Sequence, residues 1–383
     1  MPSSIPCFVE QKLTSNSSKI ALSLLERIGI DACRIDVVAG SAVEQFLQNY
    51  SGWQYFPQLY VCAEFVGGNT IIPEFFRSGE YLRILARGKI NTGSIVPPRE
   101  APADLSKSIW KISLSPNKDR LVIARADGTI EILQADSRKA LNQMLSHDGW
   151  VNTARFDAAG TIIYSGGSDT LLREWRLSET TSPNPVPAHD RWINDIAIDP
   201  TSNSLVSVGA DRLIRLWDKH LTPISESKAH GATIWCALAV NDAYVTGDED
   251  GFVTVSDART LVTRSHFRAH QNCITSISPG PGPSTYCTTG YDGMVVCWNL
   301  DGEVLFTYAG HAERVWCACP IDDTHIMASS CADGSVKLWD FRDGAQVHAL
   351  QCLAPPLAMC YLPREKTLIV GLSTGELIWE KIQ

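Results

Sequence analysis

One motif recurs seven times in the C-terminal three quarters of the chain: DGTIEIL from Asp127, DTLLREW from Asp169, DRLIRLWD from Asp211, DGFVTVSD from Asp250, DGMVVCW from Asp292, DGSVKLWD from Asp333 and TGELIWE from Thr374. The spacings are 42, 42, 39, 42, 41 and 41 residues. A fixed period of this size means stacked supersecondary units, because no single unit can bury its own apolar face. Each copy is a turn pair followed by alternating apolar positions and preceded by another short β-rich run, which predicts antiparallel strands at regular intervals. Helical periodicity is missing throughout this part.

A second set of residues keeps step with the motif. A His lies 22 residues before the turn Asp at His147, His189, His270 and His311, and 20 before it at His230. A Ser or Thr stands four before it (Ser165, Ser207, Thr246, Thr288, Ser329), and a Trp six after it (Trp175, Trp217, Trp298, Trp339). On these residues, 107–383 resembles the WD-repeat β-propellers, whose blades are four antiparallel strands. The resemblance implies seven blades and, within each, a hydrogen-bonded tetrad of Asp, His, Ser/Thr and Trp: His147, Ser165, Asp169 and Trp175; His189, Ser207, Asp211 and Trp217; His270, Thr288, Asp292 and Trp298; His311, Ser329, Asp333 and Trp339. An Asp, His and Ser set also invites a catalytic reading, but repetition in equivalent blades argues for structure. Blade one departs from the pattern, with Leu105 at the His place and Ala124 for the hydroxyl residue, and the last blade lacks the His and has Thr374 for Asp. The chain stops after the third strand of that blade, so residues around 95–106 are expected to supply its outer strand; edge strands tolerate proline.

The resemblance also implies that the face where each innermost strand begins receives partner proteins or peptides. The exposed positions there, three and five residues after each His place, read Trp110, Asn152, Asn194, Trp235, Thr275, Trp316 and about Ala358 for the inner series, with Trp150, Trp192 and Arg314 in the outer one. Glu249 and Tyr291 precede turn Asp residues. Aromatics and Arg in this number suit a binding face. Asp248 and Glu249 nearby raise an aromatic cage for a cation as a sharper variant; packing of these rings on neighbouring loops is the plainer one.

Residues 5–90 read as β-α-β-α-β-β-α, a small α/β layer fold. Within them YSGWQYFPQLYVCAEFVGGNTIIPEFFRSGEYL, residues 50–82, closely resembles the monothiol glutaredoxin branch of the thioredoxin fold. The resemblance implies a groove for glutathione at Lys12, Pro57, Gly67, Gly68 and Asn69, with Pro57 cis and the Gly pair allowing close backbone approach. The family's nucleophilic Cys should open the first helix, yet Ser15-Asn16-Ser17-Ser18 stands there. A Ser hydroxyl has no ionisation near neutral pH comparable to a thiol's, so neither thiol turnover nor a shared iron–sulfur cluster is expected at Ser15.

Between the two parts lies NTGSIVPPREAPADLS, where Pro97, Pro98 and Pro102 favour an extended connector. The expected fold is therefore multidomain: a degenerate glutaredoxin-like α/β domain (1–90), a Pro-rich linker (91–106) and an all-β seven-bladed propeller (107–383).

Charge narrows the function. Residues 1–94 hold 8 basic and 8 acidic side chains, so the net charge of −9 resides wholly beyond them, as do all nine His. No phosphate-neutralising stripe is present and nucleic acid is not expected as a partner. No apolar run is long enough for a membrane span, and the start MPSSIPCFVEQKL lacks a signal-peptide pattern. Twelve scattered Cys without a C-x-x-C fit a reducing, cytoplasmic setting, mostly as small buried hydrophobes, with no metal site. The expectation is a non-enzymatic adaptor that assembles a multi-protein complex, needing no cofactor beyond, at most, glutathione. Its rival is a glutathione- or iron–sulfur-linked redox accessory protein whose propeller recruits the client. A hydrolase in the propeller channel lacks a non-repeating cluster of carboxylates or His to carry it.

Overall fold

The computed structural model describes strands β1 (Cys7–Gln11), β2 (Cys33–Val37), β3 (Gln58–Val61) and β4 (Glu64–Gly67), and then residues 105–382 apart from 146, 179–184, 283 and 322–324. The chain divides into two compact units, Met1–Asp104 and Leu105–Gln383.

In the first unit the sheet order is β2-β1-β3-β4, with β1 parallel to β2 and antiparallel to β3, and β3 antiparallel to β4. This is the mixed sheet of a thioredoxin-like domain. A parallel pair cannot be joined by a tight turn and needs a crossover connection. The expected helices, Ser15, Lys12, Pro57, Gly68 and Asn69 lie outside the described residues; Gly67 ends β4.

The second unit is a seven-bladed β-propeller. Six blades are four-stranded meanders and the seventh has three strands among the described residues, Pro356–Leu362, Thr367–Leu372 and Leu377–Lys381. The innermost strands of the other blades are Ile109–Leu114, Val151–Phe156, Ile193–Ile198, Ile234–Val240, Ile274–Pro279 and Val315–Pro320. Residues 95–104, where a closing strand was expected, lie outside the described residues, and Leu105–Lys107 form a single 3-10 turn, not a strand. Ring closure within the described part comes from side-by-side packing of blades one and seven. Ile109, Ile112, Leu121 and Ile123 share one core with Ala358, Cys360, Leu362 and Ile369. Ser108 Oγ donates to Ser373 O at 2.7 Å and Arg125 to Gly375 O at 3.0 Å.

Each inter-blade core repeats this scheme: Val122, Ala124 and Ile130 of blade one pack on Val151, Ala154 and Ile163 of blade two. The blades approach so closely that a β-carbon on Gly371 would lie 2.6 Å from Ile109 Cγ2, and one on Gly166 equally close to Ile193 Cγ2. The turn pairs of the motif have their own requirement. Gly128, Gly251, Gly293, Gly334 and Gly375 stand at φ between +80° and +87°, while Thr170 and Arg212 take the same place at +70°.

Two cysteines depart from the expectation of free packing. Cys287 and Cys297 face each other on neighbouring strands of blade five and are joined as a disulfide, their Cα atoms 4.1 Å apart. Direct opposition in an antiparallel pair brings two side chains within bonding reach. The seven other cysteines of the propeller are buried.

Candidate functional site: the channel mouth

The tetrads fix the loops that carry the mouth residues. In blade two Trp175 Nε1–H donates to Ser165 Oγ (3.0 Å), which lies 2.8 Å from His147 Nε2, and His147 Nδ1 is 2.7 Å from Asp169. A Trp N–H can only donate and a carboxylate can only accept, so the chain runs from Trp through Ser to a neutral His protonated at Nδ1. Burial lowers the His147 pKa, in keeping with that neutral form. Burial alone would raise the Asp169 carboxyl, but the His147 bond and the Arg173 guanidinium hold it at about 2. Blades three and five repeat the arrangement through His189 to Asp211 and Ser207, with Trp217, and through His270 to Asp292 and Thr288, with Trp298.

Two blades differ from the sequence pattern. In blade four His230 bonds Asp248 at 2.8 Å and Thr246 at 2.8 Å, so the structural acid is Asp248, not the turn residue Asp250. In blade six His311 bonds Ser329 (2.7 Å), to which Trp339 also donates (3.1 Å), yet His311 Nδ1 is buried without a partner and Asp333 does not close the tetrad. Burial, with Lys337 nearby, pushes the His311 pKa down to about 4.

At the mouth, three indoles form a row. Trp110 and Trp150 have ring centroids 5.6 Å apart, and Trp150 and Trp192 6.2 Å. The row crosses blades one to three and ends at Trp192, 44% exposed. Its backbone is anchored: Trp150 N–H donates to Ser168 Oγ at 2.8 Å, and the carbonyls of Trp150 and Trp192 accept from Ser168 and Ala210 N–H. A second group stands across the ring, where the Arg314 guanidinium lies 4.6 Å from the Trp316 ring centre and 5.2 Å from that of Tyr291. Burial pushes the Tyr291 hydroxyl up to about 12.

A cage for an external cation does not fit this second group. Arg314 already occupies both aromatic faces, and Asp248 is bound to His230 and to the backbone N–H groups of Asp250 and Phe252. Glu249 beside it is half-buried, and burial raises its carboxyl above the usual range. The polar members of the inner series turn away from solvent: Asn152 donates to Ile193 O, Asn194 to Ile234 O and Thr275 to Val315 O, each tying one blade to the next. Where Trp replaces them, at Trp110, Trp235 and Trp316, the indole N–H is buried without a partner.

Inside the channel lies a group that the motif did not disclose. The buried Asp195 carboxylate of blade three is 2.9 Å from Lys111 Nζ of blade one, 2.8 Å from Thr153 Oγ1 and 3.4 Å from Arg155 Nη2, the last two from blade two. Among the described residues no group of His, Cys, Asp and Glu is arranged to hold a metal ion, and no helix is long and apolar enough to cross a membrane.

This geometry agrees with what known proteins show. The family profile "WD domain, G-beta repeat" matches residues 138–176, 181–218, 261–299 and 302–340. The C-terminal unit is a WD40-repeat propeller. It is similar to apoptotic protease-activating factor 1 of Danio rerio, 22% identical over 270 residues, 68% of this chain but 21% of that protein. A shorter stretch is 35% identical over 85 residues to eukaryotic translation initiation factor 3 subunit I of Xenopus tropicalis, 22% of this chain and 26% of the relative. The chain thus spans about a quarter or less of these relatives. The N-terminal region matches monothiol glutaredoxins. The probable monothiol glutaredoxin GrlA of Legionella pneumophila is 42% identical over 60 residues, 16% of this chain and 67% of that protein.

Proposed function

We propose that this WD40 chain is a non-enzymatic adaptor that assembles a protein complex in the cytoplasm, and that the row Trp110, Trp150 and Trp192 is its principal contact. The observation that carries this reading is the row itself: three touching indoles on anchored loops, ending at a large exposed ring. Rigid aromatic side chains give contact area at small entropic cost. A subunit of an initiation factor among the relatives supports complex assembly as the setting. The test is affinity capture from the native cell extract with the wild-type chain and with Trp150→Ala/Trp192→Ala. A set of proteins held by the wild type and lost by the folded variant supports the reading; equal capture by both contradicts it.

The match to monothiol glutaredoxins favours a second reading, in which the first domain binds glutathione or an iron–sulfur cluster and the propeller recruits the client. With Ser15 in the nucleophile's place, the residues offer no thiolate there, so the fit extends to a glutathione groove at Lys12, Pro57, Gly67, Gly68 and Asn69 and not to thiol exchange. Saturable binding of glutathione by the full chain would favour the groove, and visible absorption after anaerobic purification would favour the cluster.

A further inference from the structure

The cluster inside the channel carries more positive charge than its one carboxylate balances, and the balance of its hydrogen bonds points the same way. Asp195 is saturated: besides Lys111, Thr153 and Arg155 it accepts from the backbone N–H of Ile196 at 2.9 Å and of Ala237 at 3.3 Å. The two cations are not. An ammonium has three donors and a guanidinium five. Lys111 Nζ uses one of its three on Asp195. Arg155 meets Asp195 through Nη2 alone, at 3.4 Å to each oxygen, well beyond the 2.7–2.9 Å of a strong charge-assisted bond. Its Nε is buried and has no partner at all.

The position of these donors is equally specific. Lys111 comes from the innermost strand of blade one and reaches past blade two to the carboxylate on the innermost strand of blade three. A side chain that bridges the innermost strands of alternate blades stands near the propeller axis. Lys111 and Arg155 both keep 23% of their side-chain surface open, whereas Asp195 keeps 2%. The lumen therefore sees the cations and not the acid. Low-dielectric walls on every side strengthen such a field, and they do so in a protein whose net charge is −9.

We infer that the central channel is an oxyanion site, in which Lys111 and Arg155 receive a phosphate or carboxylate while Asp195 holds the two cations in place. The proposal is independent of the tryptophan row, since it needs no contact with Trp150 or Trp192. Arg155 supplies the planar fork suited to two oxygens, and Lys111 the point charge.

Calorimetric titration of the full chain with inorganic phosphate at low ionic strength tests it, alongside Arg155→Gln, Lys111→Gln and the charge-conserving Arg155→Lys, with circular dichroism to check folding. The expected result is saturable binding by the wild type, weakened about tenfold or more in either Gln variant and partly retained in Arg155→Lys. Competition by acetyl-tetraglutamate amide, and not by its glutamine counterpart, would identify a carboxylate segment as the occupant; phosphate binding without competition would assign a free anion. Absence of saturable phosphate binding by the wild type overturns the proposal, even if a variant does not fold. Equal affinity in folded Arg155→Gln and Lys111→Gln overturns it as well.

Discussion

His147 Nδ1 stands 2.7 Å from Asp169, whereas His311, at the same place four blades on, makes no bond to Asp333. The two tetrads should therefore differ in worth. Replacing His147 by Ala takes one partner each from Ser165 and from Asp169, which keep Trp175 and Arg173, a change expected to cost about 1–3 kcal/mol. The same change at His311 breaks one link fewer and should cost less. Urea denaturation of the two variants measures the difference, and an equal or larger loss at His311 would contradict the assignment.

Stability should also fall with acid through His311. Its pKa is lowered in the folded protein from 6.5 to about 4, so between these values the unfolded chain binds a proton that the native state refuses. The contribution is fully present above pH 6.5 and is lost as the pH falls toward 4. His147 is displaced in the same direction. Unfolding midpoints followed across this range should decline less steeply in His311→Gln than in the wild type; parallel curves would show that His311 is not buried as described.

Thr170 occupies at φ +70° the turn position that Gly293 takes at +80°. A β-branched residue is strained in the left-handed region, by roughly 1–2 kcal/mol. Thr170→Gly is thus expected to stabilise the propeller by up to about 1 kcal/mol, after the greater chain entropy of Gly is set against the relief. A fall in thermal midpoint would refute the strain.

Ring closure depends on the absence of a side chain at Gly371. Gly371→Val places atoms against Ile109, where a β-carbon already falls at 2.6 Å, and overpacking of this kind costs about 1–3 kcal/mol. Thermal denaturation of the variant should show a lowered midpoint. An unchanged midpoint would mean that blades one and seven do not meet as closely as they do here.

The blades were legible because a period near 40 residues writes the same hydrogen-bonding set at the same offsets, so His189, Ser207, Asp211 and Trp217 announce one another. Blade four broke the pattern where three acids stand in a row, Asp248-Glu249-Asp250, and only the path of the strand decides which faces His230. The mouth tryptophans were legible as positions but not as a row, since spacing along the chain says nothing about which rings touch across blades. The channel cluster was illegible for a plainer reason: Lys111 and Asp195 are 84 residues apart and meet only because three successive blades turn about one axis. Cys287 and Cys297 likewise become partners only once their strands are in register.

The most direct test of the adaptor reading is hydroxyl-radical footprinting of the chain, free and in the complex captured from its own cells. Exposed apolar residues also dot the outer strands and the turns leading into them, among them Ile224, Val262 and Val347, so the method compares two surfaces in one experiment. Trp150 and Trp192 are expected to be protected on complex formation, with Ile224, Val262 and Val347 labelled as before. Unchanged labelling of the two tryptophans, with protection on the outer strands, would contradict the adaptor reading.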